Sequence, residues 1–344
     1  MRQPASNSAQ SVDAARRRIV TPLWLRRSLV VLQDLRLRQP LLTTVVPLVL
    51  IWIVLSILSP YFLTVDNVTN ILLQSVPLAL VAGGMTFTLV AAEIDLSVGS
   101  VASLISAVFA FLVVNLHDGW PLGVVAALGV GVGVGLIHAW FTTRIGVPSF
   151  VVTLAMMGIA RGFALLITNG EAIFGLPREF DFIGQGRFGF LPVAVLIAAV
   201  ILVTLHLTLT RTRFGLNVYA VGGNPEAARI AGVNIRFTKS AVLVLSALLA
   251  SVAGLILAAR LDAGSGSFGS ELLLDSIAAV VIGGTSLLGG VGRISGTVVG
   301  VLLIASIRNG LVLLNVSDFW QQIAIGLVIL LAVAVDHLAK ARAE

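Results

Sequence analysis

The tightest constraint on this chain is a succession of apolar stretches, each about as long as a bilayer is thick. A hydrocarbon core of about 30 Å takes about 20 mostly apolar residues per helix. Such segments run over 41–59, 71–92, 97–116, 121–143, 147–168, 191–210, 240–259, 274–291, 294–314 and 320–338. Gly, Ser and acidic residues interrupt the second, third and eighth, so their ends are the least sharp. Only 11% of the 344 residues are charged and mean hydropathy is +1.04, against roughly 25% charge in a soluble domain. These features exclude a soluble fold and predict an all-α polytopic membrane protein of about ten transmembrane helices. The absence of cysteine removes disulfides, thiolate metal sites and cysteine nucleophiles together.

The net charge of +6 reports orientation rather than a nucleic-acid partner. Residues 1–40 carry eight arginines and two aspartates, which account for the whole excess. With this tail in the cytoplasm, Arg144, the group Arg211, Arg213, Arg229, Arg236 and Lys239, then Arg293, Lys340 and Arg342 fall on the same side. Asp66, Asp118, Glu171, Glu179, Asp181, Asp262, Glu271 and Asp318 fall on the other, with only Arg178 and Arg187 among them and Arg260 at a boundary, the bias of the positive-inside rule. Both termini are expected in the cytoplasm. The run from Leu41 to Ser59 exceeds a signal-peptide core and is read as an uncleaved first helix. The tail, 1–40, precedes a transmembrane domain at 41–340. Within it, Pro22 and Pro40 bracket a segment, 22–39, that suits either a basic helix lying on the anionic leaflet or a solvated tail.

No motor is encoded. A P-loop requires G-x-x-x-x-G-K-[ST], and the only lysines, Lys239 and Lys340, do not follow glycine. Gly129, Gly131, Gly133 and Gly135 lie inside an apolar span, where small-xxx-small pairs let helices approach closely. The basic loop 211–239 is more informative. Asn224 suits an N-cap, Pro225 the first helical position, Glu226 the first turn and Gly232 the residue after the C-cap. The short helix between them shows Ala227, Ala228 and Arg229 and has too little apolar surface for a core of its own. It reads either as a knob for a partner's groove or as an ordinary surface helix.

The segment Tyr219-Ala-Val-Gly-Gly-Asn-Pro-Glu-Ala-Ala-Arg-Ile-Ala-Gly-Val233 resembles the cytoplasmic coupling segment of ABC-transporter permeases for monosaccharides, the ribose, xylose and galactose group. Three blocks agree in order: Glu93-Ile-Asp-Leu-Ser-Val-Gly-Ser100, Val147-Pro-Ser-Phe-Val-Val-Thr-Leu154 and Ile282-Gly-Gly-Thr-Ser-Leu-Leu-Gly-Gly-Val-Gly292. Ala92-Glu93, where many members have Gly-Gly, and Asp318-Phe319-Trp320-Gln321 look more like the xylose permeases, although the extra sequence between middle spans of such a permease is absent here. The resemblance implies a ten-helix importer subunit in a bacterial inner membrane, paired with a second permease, usually identical. It further implies a cytoplasmic twin-cassette ATPase that holds ATP and Mg and a periplasmic sugar-binding protein, with no cofactor, metal or catalytic residue in this chain. Asn224, Pro225, Glu226, Ala227, Ala228, Arg229 and Gly232 are then the ATPase-coupling residues.

Pathway candidates come from ionisable and polar residues at membrane depth, which are costly and usually functional. Glu93 and Asp95 close the second span and read three ways: braces for interrupted backbone with Ser97 and Ser100, a proton relay, or an exposed turn. Arg161 and Arg308, the latter beside Asn309, each sit well into a span. They snorkel to headgroups, pair with another helix, or line a vestibule. Val81-Ala-Gly-Gly84 and Val281-Ile-Gly-Gly284 repeat one pattern in two spans, and interrupted hydrophobic segments can mark an embedded site. Gly283, Gly284, Thr285 and Ser286 join the candidates on that basis. His138 and His206 stand without neighbouring ligands and read as packed or hydrogen-bonded. The expected function is permease subunit of an ATP-driven monosaccharide importer, pentose or hexose. The alternative is an ion-coupled secondary transporter using Glu93 or Asp95.

Overall fold

The computed structural model describes residues 40–327 and Leu330. The segment 22–39 and most of the last expected span, 328–338, lie outside the described residues. Twelve helices are numbered here in chain order: α1 Pro40–Leu58, α2 Val65–Val90, α3 Val98–Ala110, α4 Trp120–Trp140, α5 Ser149–Thr168, α6 Arg178–Gln185, α7 Val193–Arg211, α8 Arg213–Gly223, α9 Pro225–Ile230, α10 Ile235–Leu261, α11 Leu272–Ile282 and α12 Ile294–Leu313. Helical backbone resumes from 318 to 327. A π-helical turn, Phe111–Asn115, extends α3, and another, Phe141–Ile145, extends α4. Among the described residues, seven helices are long and apolar enough to cross a membrane, and two shorter apolar ones span Thr44–Leu58 and Leu272–Ile282.

Local chemistry sets many of the ends. Thr64 caps α2 by accepting from the Asn67 amide, and Asp66 occupies its first turn. Glycine lets the spans meet backbone to backbone at the centre. A Cβ on Gly135 of α4 would come within 2.7 Å of the Val244 Cα on α10, and one on Gly131 would enter Ser251. Gly129 and Gly133 face open space, so only one of the two small-residue pairs in α4 makes a helix contact. The most enclosed spans are α2 and α10, while α5 and α7 leave most of their surface free.

One expectation is corrected, that of the eighth span. The second span is continuous through its paired glycines: α2 runs through Gly83 and Gly84, which sit against Leu205 of α7 and Ser246 of α10. The break follows at 91–97, entered through Ala92 in the left-handed region at φ 59°. The eighth span, expected over 274–291, is helical only to Ile282. Gly283 there touches the backbone of Gly296, and Gly284 turns left-handed at φ 90°. At 1.5 Å per residue its 11 residues cover about 16 Å, half a bilayer core.

Two minimal antiparallel ladders tie loops together. Ile173–Phe174 (β1) pairs with Ala263–Gly264 (β4), and Arg187–Phe188 (β2) pairs with Leu191–Pro192 (β3).

Candidate functional site

The break after α2 is tied to its neighbours through several of its amides and both of its carboxylates. Within a membrane, backbone groups outside helices need partners from the protein or from a water-filled cavity. The Ile94 amide donates to Ser149 Oγ and the Leu96 amide to Thr153 Oγ1, each at 3.1 Å, while Thr153 Oγ1 also donates to the Ile94 carbonyl. Both acceptor side chains come from the first two turns of α5. Asp95 is fully buried. Its Oδ1 accepts from the Ser97 amide at 2.9 Å and the Ser97 hydroxyl at 2.6 Å, and its Oδ2 accepts from Ser246 of α10 at 2.8 Å. Glu93, also buried, meets Lys239 Nζ at 2.5 Å. Of the three readings, bracing is the one this geometry supports. Lys239, at the start of α10, supplies the cation that the 91–97 turn lacks. Ser100 takes no part.

A second irregular stretch follows α10. The chain turns back along α3: Ser265 exchanges bonds with Ser106, and the Gly269 amide donates to Ser103 Oγ at 2.9 Å. Gly99 and Gly269 touch through their backbones, each where the other's Cβ would be. Residues 265–271 therefore run from the C-terminal half of α3 to its first turn, where α11 begins. Between this stretch, α3 and α5 lies an open cavity lined by Leu96, Gly99, Ser100, Arg161, Ser270 and Leu273, with Met157 beside them. Arg161 stands 12 residues along α5 from Ser149, about 18 Å of rise, and is exposed without a partner among the described residues.

The other candidates do not line this cavity. Arg308 of α12 turns to α11, with Nε and Nη2 on the Asp275 carboxylate at 2.9 and 3.0 Å and Nη1 on Glu271 at 2.6 Å. Asn309 exchanges amide bonds with Asn67 of α2 at 2.9 Å. Both residues are helix-to-helix ties rather than vestibule donors, because a carboxylate and an amide already occupy their polar groups. Gly283, Gly284, Thr285 and Ser286 also fall elsewhere. The loop they open, 283–293, leans on the end of α2, where the Gly290 amide donates to the Val90 carbonyl at 2.9 Å.

That loop meets the 211–239 region. Tyr219 of α8 donates to the Gly292 carbonyl at 2.6 Å, and burial raises its phenol above the ordinary range. Gly222 lies where a Cβ would collide with the Val90 carbonyl and the Gly290 amide. Beyond it, α9 has the expected caps: Asn224 Oδ1 accepts from the Ala227 amide at 2.9 Å, Pro225 opens the helix, and Gly232 is left-handed at φ 82°. Glu226 and Arg229 pair across one turn, Ala228 faces inward, and Ile230 is 80% exposed. Sequence reasoning missed α8, along with Lys239, Asp275, Asn67 and Ser246 as partners; no local signal marks a pairing across distant spans. His138 is buried with both ring nitrogens unpartnered among the described residues, and His206 is part-buried. Among the described residues, no group of three or more His, Cys, Asp or Glu could hold a metal.

Comparison with known proteins gives a concordant picture. A family described as "Branched-chain amino acid transport system / permease component" matches residues 67–333. The Ribose import permease protein RbsC of Escherichia coli (strain K12) is 42% identical over 294 residues, 84% of this chain and 91% of the relative. RbsC of Bacillus subtilis (strain 168) is 40% identical, covering 83% and 89%. The Xylose transport system permease protein XylH of Escherichia coli (strain K12) is 36% identical over 342 aligned positions, 82% of this chain and 87% of the relative. That alignment exceeds the stretch of this chain it covers, as inserted sequence in the relative requires. No solved structure matches. With a family match over most of its length and relatives of this likeness, the chain belongs to this family of transport-system permease components.

Proposed function

We propose that this chain is the permease subunit of an ATP-driven importer that carries a monosaccharide, a pentose in particular, inward across the bacterial inner membrane without altering it. The observation that carries the reading is the 42% identity with a ribose import permease over 84% of the chain, alongside 36% with a xylose permease. In this reading the nine apolar helices among the described residues and the helix beginning at 318 make ten spans, with both termini in the cytoplasm. A second, identical copy completes the pore. A separate twin-cassette ATPase holds ATP and Mg, and a periplasmic binding protein delivers the sugar.

Within that assembly α9 is the coupling helix. Its exposed Ile230 and Arg229 face outward for the ATPase groove, and Asn224, Pro225, Glu226, Ala227, Ala228 and Gly232 set its shape. The motion it receives has a short route to the pore. Gly222 of α8 bears on Val90, and Lys239 grips Glu93, so residues on either side of α9 bear on the end of α2 and on the break that follows it. Leu96 at the far side of that break borders the cavity. A proton-coupled mechanism is not favoured, because Glu93 is engaged by Lys239 and Asp95 by three hydrogen bonds.

The family description names amino acids and the relatives name sugars, so the test must separate the two cargoes. The transporter is reconstituted with its cognate ATPase and binding protein, and uptake and ATP hydrolysis are measured with ribose, xylose, galactose and leucine. Pentose-stimulated hydrolysis with pentose uptake that survives a protonophore is expected. Uptake of leucine alone, or uptake abolished by the protonophore, overturns the proposal.

A further inference from the structure

The cavity between α3, α5 and 265–271 contains features that packing alone does not explain. Arg161 is charged, lies about 18 Å along a span and has no partner among the described residues. Ionisable groups at that depth face a protein interior or a watery cavity, because facing lipid is costly. The cavity borders the only lining guanidinium with the hydroxyls of Ser100 and Ser270, neither of which makes a hydrogen bond among the described residues. One wall, 265–271, is non-helical backbone, tolerated at such depth only in protein contact or against water. Leu96, Met157 and Leu273 supply apolar surface, and the lining contains no carboxylate and no aromatic ring.

We propose that this cavity is a transit site for an uncharged polyol, an aldose in ring form. The assignment rests on the sugar-import reading above and names where within one permease copy the sugar is held. The planar guanidinium of Arg161 offers paired donors to two vicinal hydroxyls, as it would to a carboxylate. Ser100 and Ser270 donate or accept as each hydroxyl requires, and the three apolar side chains meet the C–H face of the ring. Without an anionic group the site gives an ammonium-bearing solute nothing to pair with. The absent aromatic platform keeps binding weak, which a transit site needs for release.

The absence of cysteine makes a direct test clean. Ser270→Cys and Ser100→Cys are placed singly in the full transporter and exposed, on both faces of the membrane, to a membrane-impermeant thiol reagent. Leu166→Cys, exposed on the same helix as Arg161, is the control. Both cavity positions should react and the control should not. Ribose or xylose, delivered with the binding protein, should slow the reaction several-fold, while leucine should not. Arg161→Gln should raise the sugar KM of uptake about tenfold, the loss of a hydrogen bond to a charged group, with the ATPase still stimulated at saturation. Unreactive cavity thiols overturn the proposal, as does labelling that pentose leaves unchanged while the unsubstituted transporter imports that pentose. An unsubstituted transporter that imports no pentose fails the import reading instead, and protection by leucine in that case assigns the cavity to another ligand class.

Discussion

Two stretches of non-helical backbone enter the membrane region, and they are built in opposite ways. The 91–97 break has the Ile94 and Leu96 amides, the Ile94 carbonyl and both carboxylates engaged by Ser149, Thr153, Ser246 and Lys239 from two other helices. The 265–271 stretch bonds to α3 through Ser265 and Gly269 and to α12 through Glu271, and leaves the Ser270 hydroxyl open beside Arg161, which has no partner among the described residues. Side chains from α5 and α10 make the first a braced joint. Open hydroxyl and guanidinium groups make the second the surface proposed above to bind. The comparison is a claim about which stretch carries stability and which carries recognition, and substitutions can break it.

The largest stability loss is expected from Asp95→Ala, which strands three buried donors. At about 1–3 kcal/mol each, the loss is enough to abolish recovery of folded protein in detergent, read by size-exclusion chromatography and thermal unfolding. Lys239→Met should cost about 3 kcal/mol, because it leaves Glu93 buried without its cation; adding Glu93→Gln should restore most of the thermal stability. If the double variant also restores uptake, the pair serves only as a brace; if stability returns while sugar-stimulated ATP hydrolysis runs without uptake, it transmits the stroke. Gly232→Ala, at φ 82°, should cost about 1 kcal/mol, measured by thermal unfolding, and should lower ATPase stimulation if α9 is the docking element. Ser270→Ala should change stability by less than about 0.5 kcal/mol and still lower sugar uptake. A Ser270→Ala protein as destabilised as Asp95→Ala would erase the distinction.

Local features of the structure were legible and distant ones were not. Asn224, Pro225 and Gly232 act on neighbours within four residues, so the short helix they bound could be read directly. The spans were legible because hydropathy over about 20 residues is itself a local property. The repeated Val-x-Gly-Gly pattern shows the limit. In α2 it continues a helix because Gly83 and Gly84 admit Leu205 and Ser246, and after α11 it ends one because Gly283 rests on Gly296 and Gly284 turns left-handed. Identical words thus have opposite outcomes, decided by what packs against them. The helix α8 escaped for the same reason: its glycines weaken it locally, and Phe214 stacked on Phe87 together with Gly222 against Val90 hold it in place. At the candidate site, Arg161 could be singled out alone, but its separation from Arg308 depended on Asp275, which only the fold brings near.

The Asp275–Arg308 pair also bears on how the protein is made. Residues 272–282 are short for a bilayer crossing and carry an acid, with Glu271 just before, so placing them in lipid before a counter-ion is present is costly. Their counter-ion, Arg308, lies on α12, which follows in the chain, so inserting 272–313 together keeps an unpaired charge out of lipid. Translation speed between the two helices, and the insertion machinery's capacity to shelter the first of them, become part of what this sequence demands of its host.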